Sequence, residues 1–131
     1  MSSSDAPGIV TVDGVGPSHW IVALHGEHDM TNRDRLHEKL APLLTQATFV
    51  VVDLSPATFI DSSIVKELIA AHEQADDVPA QQFAIVAPKD GFARRVLDLM
   101  QADAVLCIFE DHDAAFASLG VANPGEAAAH D

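Results

Sequence analysis

The stretch "FVVVDLSPATFIDSSIVKEL", residues 49–68, changes character twice within twenty residues. With Thr48 before it, it opens as "TFVVVDL", a continuous apolar run of the kind found in strands covered on both faces or paired in parallel. A polar break at Ser55 and Pro56 follows, and then Asp61, Ser62 and Ser63 stand together. From there "SSIVKELIAAHEQA" becomes amphipathic, with Val65, Leu68, Ile69 and His72 on one helical face. Asp53 therefore ends a strand, and Asp61-Ser62-Ser63 begins a helix a short loop later. In α/β sheets, functional groups collect at the carboxyl ends of strands and the starts of the helices that follow. A first helical turn exposes unpaired N–H groups and a partial positive charge, which would receive a phosphate on Ser62 favourably. Asp and Ser also serve there as plain N-caps, and the residues alone allow both readings.

Working outward, "GIVTVD" and "HWIVALHG" are strand-like and separated by "GVGPS", which predicts an antiparallel hairpin. Leu36, Leu40, Leu43 and Leu44 in "NRDRLHEKLAPLL" recur at helical spacing. Thr31 and Asp34 resemble a capping box for that helix, and Pro42 should kink or end it. Downstream, "QFAIVAP" reads as a buried strand and "DGFARRVLDLM" as a helix with Phe92, Val96 and Leu99 in one stripe. "AVLCIF" reads as a last strand, with Cys107 a small buried hydrophobe, and "DHDAAFASLG" as a last helix closed by Gly120. This alternation predicts an α/β fold: a mixed β-sheet flanked by α-helices, one domain over residues 9–119. Residues 1–8 and 120–131, small and polar or rich in Gly, Pro and Ala, are expected to be flexible tails.

Composition narrows the function classes. With 131 residues and 48% hydrophobic content the chain can bury a real core. Twenty acidic residues against seven Lys plus Arg give a charge of −13, which opposes nucleic acid and anionic lipid and favours a partner with a basic face. No apolar run is long enough for membrane insertion, and "MSSSDAPG" lacks a secretory pattern, so a cytoplasmic location is expected. A lone cysteine excludes a disulfide framework. In "HGEHD", the residues His25, Glu27, His28 and Asp29 are possible metal ligands. An extended strand would put His25, Glu27 and Asp29 on one side and His28 on the other, and no second cluster has ligand spacing, so no metal is expected. An enzyme built on His25, Asp29, Asp53 and Asp61 is the weakest class. Ser62 has Ile60 and Ile64 where a hydrolase elbow needs glycines, and no Gly-rich phosphate loop exists. Neither a cofactor nor catalysis is expected.

The order of these segments resembles the STAS domain, the family of bacterial anti-sigma factor antagonists. The segment "VVVDLSPATFIDSSIVKELIAAHEQA" resembles its central part, in which the Ser directly after the Asp accepts phosphate. "HGEHDMTNRDRL" resembles its Gly-Glu-x-Asp loop, and "ARRVLDLMQADAVLCIFEDHDAAFASLG" its C-terminal helix-strand-helix run. The resemblance implies Ser62 as phospho-acceptor, with Asp29, Asp61, Ser63 and Ile64 at the partner-binding surface. It implies an anti-sigma factor with serine kinase activity as partner, and a phosphatase acting on phospho-Ser62. Where the family usually has Gly, this chain has Ile64, a stiffer residue that fills space. That departure leaves an alternative: a switchless STAS subunit of a larger transporter or signalling complex.

Overall fold

The computed structural model describes residues 8–16, 18–45 and 48–118. Its first elements are β1 (Ile9–Gly16) and β2 (His19–His28), the antiparallel hairpin that their β-branched content predicts. A 3₁₀ turn, Met30–Asn32, leads into α1 (Arg33–Leu40). Pro42 stops α1 as its missing N–H requires, and Leu44 is carried into the core by a second 3₁₀ turn, Leu43–Thr45. Then come β3 (Phe49–Asp53), β4 (Ala57–Ile60), α2 (Ser62–Asp76), β5 (Gln82–Val86), α3 (Phe92–Leu99), β6 (Ile108–Phe109) and α4 (His112–Ser118). The sheet runs β1-β2-β3-β5-β6, and every pairing except β1 with β2 is parallel. The mixed sheet and its flanking helices follow the sequence reading. Of the predicted N-terminal tail only Gly8 is described, and it is buried; residues 1–7, Leu119 and the whole predicted C-terminal tail, 120–131, lie outside the described residues.

Alternation along the central strands divides the interior in two. Val50, Val52, Phe83 and Ile85 face the main core with Leu36 and Leu40 of α1, Leu68 of α2 and Leu97 of α3. Phe49, Val51, Ala84 and Val86 face a smaller cluster closed by Ala115 and Phe116 of α4. Both faces of the sheet are covered, which is why "FVVVD" carries no polar alternation until Asp53.

Four local expectations need correction. Asp29, not Thr31, begins the capping box: it caps the 3₁₀ turn with Asn32 as reciprocal partner, and Thr31 donates to it. The loop before Asp61 contains β4, a strand of four residues hidden by Ser55-Pro56. The stripe Phe92, Val96 and Leu99 is not the buried face of α3: Ala93 and Leu97 go inward, while Phe92 and Leu99 are 42% and 79% exposed. Finally, "AVLCIF" is a strand only at Ile108–Phe109. The chain turns through Gln101 in the left-handed region and a 3₁₀ turn at Ala102–Ala104, so Leu106 enters the core and Cys107 is exposed.

Candidate functional site

β2 and β4 run parallel and end level with each other, with His28 paired to Ile60. The pairing steps from Gly26–Ala57 to Glu27–Phe59, so Thr58 is the surplus residue of a bulge. Gly26 itself has φ 82°, a left-handed conformation that suits glycine. Each strand then delivers an aspartate to the start of a helical turn. Asp61 is the N-cap of α2, in extended conformation, and its Oδ1 accepts from the backbone N–H of Ser63 at 3.0 Å and of Ile64 at 3.3 Å. Asp29 does the same for the 3₁₀ turn, accepting from the Thr31 N–H at 2.9 Å. In both, the hydroxyl two residues on also donates to the aspartate: Thr31 to Asp29 at 2.6 Å, Ser63 to Asp61 at 2.5 Å. "DMTN" and "DSSI" are therefore two copies of one device, side by side, and the repeated Asp-x-Thr/Ser spacing was the signal for it in the sequence. The Thr31 hydroxyl and amide hold the Asp29 carboxyl below its ordinary range.

Ser62 is the first residue of α2. It is exposed, and among the described residues its hydroxyl has no hydrogen-bond partner. Ser63, by contrast, is committed to Asp61. Met30 holds the matching place after Asp29 and is 69% exposed. Ile64, two residues after Ser62, lies on the opposite side of α2, wholly buried in the main core, so its side chain does not reach the surface that Ser62 occupies.

Asp53 does not join this pair. Its Oδ2 accepts from His112 Nε2 at 2.9 Å, tying α4 to the end of β3. It lines a separate open cleft with Ser55, Pro88 and Glu110. Nor do the residues of "HGEHD" converge: His25 is hydrogen-bonded to Thr11 across the hairpin, and buried His28 donates Nε2–H to the His25 carbonyl. Among the described residues no group of three or more His, Cys, Asp or Glu could hold a metal ion. No helix among them is long and apolar enough to cross a membrane.

The family model described as "STAS domain" matches residues 7–115. The chain belongs to the STAS domain family. Solved structures agree with that fold. An anti-sigma factor antagonist from Mycobacterium paratuberculosis superposes with TM-score 0.77 at 23% identity, covering 92% of this chain and 99% of that one. The anti-sigma factor antagonist SpoIIAA in its unphosphorylated form gives 0.67 at 16% identity, covering 88% and 100%. The Bacillus cell fate determinant SpoIIAA in its phosphorylated form gives 0.63 at 15%, covering 85% and 99%. A comparison with curated proteins finds no match. In this STAS domain, then, Asp29, Asp61, Ser62 and Ser63 lie together at the carboxyl ends of two adjacent parallel strands, and Ile64 lies beneath them.

Proposed function

We propose that this STAS domain is an anti-sigma factor antagonist switched by phosphorylation of Ser62. Unmodified, it binds an anti-sigma factor that has serine kinase activity; phosphate on Ser62 ends that contact, and a phosphatase acting on phospho-Ser62 restores it. The observation that carries the reading is the contrast between two adjacent hydroxyls: Ser62 is exposed and unpartnered, Ser63 is bonded to Asp61. The cap also supports a switch by charge. The first-turn N–H groups expected from the sequence to receive a phosphate are not open: Asp61 occupies those of Ser63 and Ile64, so few donors remain to neutralise a phosphate at the start of α2. Phosphorylation adds about −1.5 to −2 charges beside Asp61 and Asp29, and the added field falls on the docking surface. Asp29 and Asp61 act as contacts and not as catalysts. Burial of Ile64 supports the switch over the switchless subunit, since the side chain that replaces the family's usual Gly does not occupy the surface.

The test combines phosphopeptide mapping of protein from its native cells with titration of purified anti-sigma factor kinases from the same genome. Phosphate should be found on Ser62. Ser62→Ala should bind with or without ATP and magnesium, and Ser62→Asp should bind more weakly, with a partial effect because a carboxylate carries less charge. Equal binding by wild type and Ser62→Asp, with no phosphate at Ser62, would leave the switchless module.

A further inference from the structure

The two aspartates beside Ser62 are held by different means. Asp61 is anchored by α2, whose Ile64, Val65 and Leu68 are fully buried directly after it. Asp29 has no such anchor after it, because the 3₁₀ turn it caps contains no buried residue; only His28 before it is buried. Thr31 holds the Asp29 carboxylate, and the Asn32 side chain fixes the Asp29 backbone. The Asn32 Oδ1 accepts from the Asp29 N–H at 2.8 Å, and its Nδ2 donates to the Glu27 carbonyl at 3.2 Å. The amide thus straddles the end of β2 and closes the capping box from behind.

That amide has room for one reason. Gly8, immediately before β1, lies against it: a Cβ there would stand 2.2 Å from Asn32 Nδ2, 2.4 Å from the Glu27 oxygen and 2.8 Å from His28 Cε1. All three are closer than non-bonded atoms approach. Any side chain at position 8 must therefore displace Asn32 and the end of β2, or pull Gly8 away. The neighbouring residue resists the second escape, since Ile9 is paired with His25 in the ladder.

We propose that Gly8 and Asn32 are positioning residues for the Ser62 site, holding Asp29 where a docking kinase meets it. This rests on the reading of Ser62 as phospho-acceptor. Neither residue touches Ser62; Gly8 acts through Asn32, and Asn32 through Asp29.

The experiment uses the full chain and the variants Gly8→Ala, Asn32→Ala and the double variant. Amide hydrogen exchange at Asp29 is followed by NMR, and phosphorylation by an anti-sigma factor serine kinase from the same genome is followed with ATP and magnesium. Loss of one hydrogen bond should speed exchange at the Asp29 amide by about tenfold in both single variants. The KM for this protein should rise by a similar factor with kcat unchanged, a split that general loosening of the fold would not give. The double variant should be no worse than the poorer single one, because both act on one amide. Unchanged exchange at Asp29 in Gly8→Ala would overturn the role of the glycine, showing that the start of β1 has simply moved aside. Unchanged KM despite faster exchange would overturn the positioning role itself. Failure of the wild-type chain to accept phosphate at Ser62 would be a different result: it sinks the switch, and the positioning role falls with it.

Discussion

Ser62 and Ile64 are two residues apart and belong to different worlds, one to solvent and one to the core. The exposed serine was legible in the sequence, because an Asp-Ser-Ser run between a strand and an amphipathic helix marks a helix start. The buried isoleucine was not, for a reason of phase. Anchoring the helical stripe on Val65, Leu68, Ile69 and His72 rotates the inward face away from the one observed, which is Ile64, Val65, Leu68, Ala71 and Ala75. With the helix starting at Ser62, Ile64 and Leu68 stack one turn apart and both go inward. Truncating Ile64 is then a core substitution. Ile64→Ala should cost about 2–5 kcal/mol in chemical denaturation, as loss of a buried aliphatic side chain does. A cost below about 1 kcal/mol would mean that the side chain is not seated in the core. The kinase contact proposed above should be nearly unaffected in the folded fraction.

Among the elements, α3 is where pattern and packing part company. Its apolar arc is wider than the surface available to cover it, so Ala93 and Leu97 are buried while Phe92 leans outward and stacks on Phe59 of β4, ring centroids 5.4 Å apart. Sequence periodicity reports the whole arc and cannot say which part finds a neighbour. Two leucines separate the cases. Leu97→Ala should destabilise by about 2–5 kcal/mol, whereas Leu99→Ala should stay within roughly 0.5 kcal/mol of wild type. Urea midpoints of the two variants check this, and equal losses would contradict the burial. β4 escaped notice because it is four residues long and interrupted by a bulge, which spoils alternation. The helix that Pro42 stops and the β1–β2 hairpin, by contrast, were plain, because proline and β-branched runs act locally.

At the scale of the molecule, the acidic charge and the mixed sheet were readable from composition and element order, and the side-by-side ends of β2 and β4 were not, since register is a property of pairing. The same pairing buries His28 at the level of Ile60. Removal from water pushes its imidazole below the ordinary value, against smaller upward effects from the His25 backbone. The unfolded chain protonates this group near pH 6.5 and the folded chain only at lower pH, so unfolding takes up a proton in between. Stability should therefore fall as the pH drops below about 6.5, with a His28 contribution of at most about 1.4 kcal/mol per pH unit until its folded value is reached. His28→Gln, which retains a side-chain donor, should flatten that limb by up to this slope. Denaturant midpoints between pH 7 and 5 measure it, and an unchanged slope would exclude His28 as the source.

Thr58 has a consequence for how this surface can vary in descent. Being the one residue of β4 without an opposite number, it is slack in the chain. The ladder, and not the count of residues after Asp53, decides where Asp61 comes to rest. Relatives that lose or gain a residue at the bulge can keep Ala57 opposite Gly26 and Ile60 opposite His28, and so keep Asp61 abreast of Asp29. A single residue added between Ile60 and Ser62 has no such reserve: it would carry Ser62 out of step by one strand residue, about 3.3 Å. Length is free on one side of Ile60 and fixed on the other.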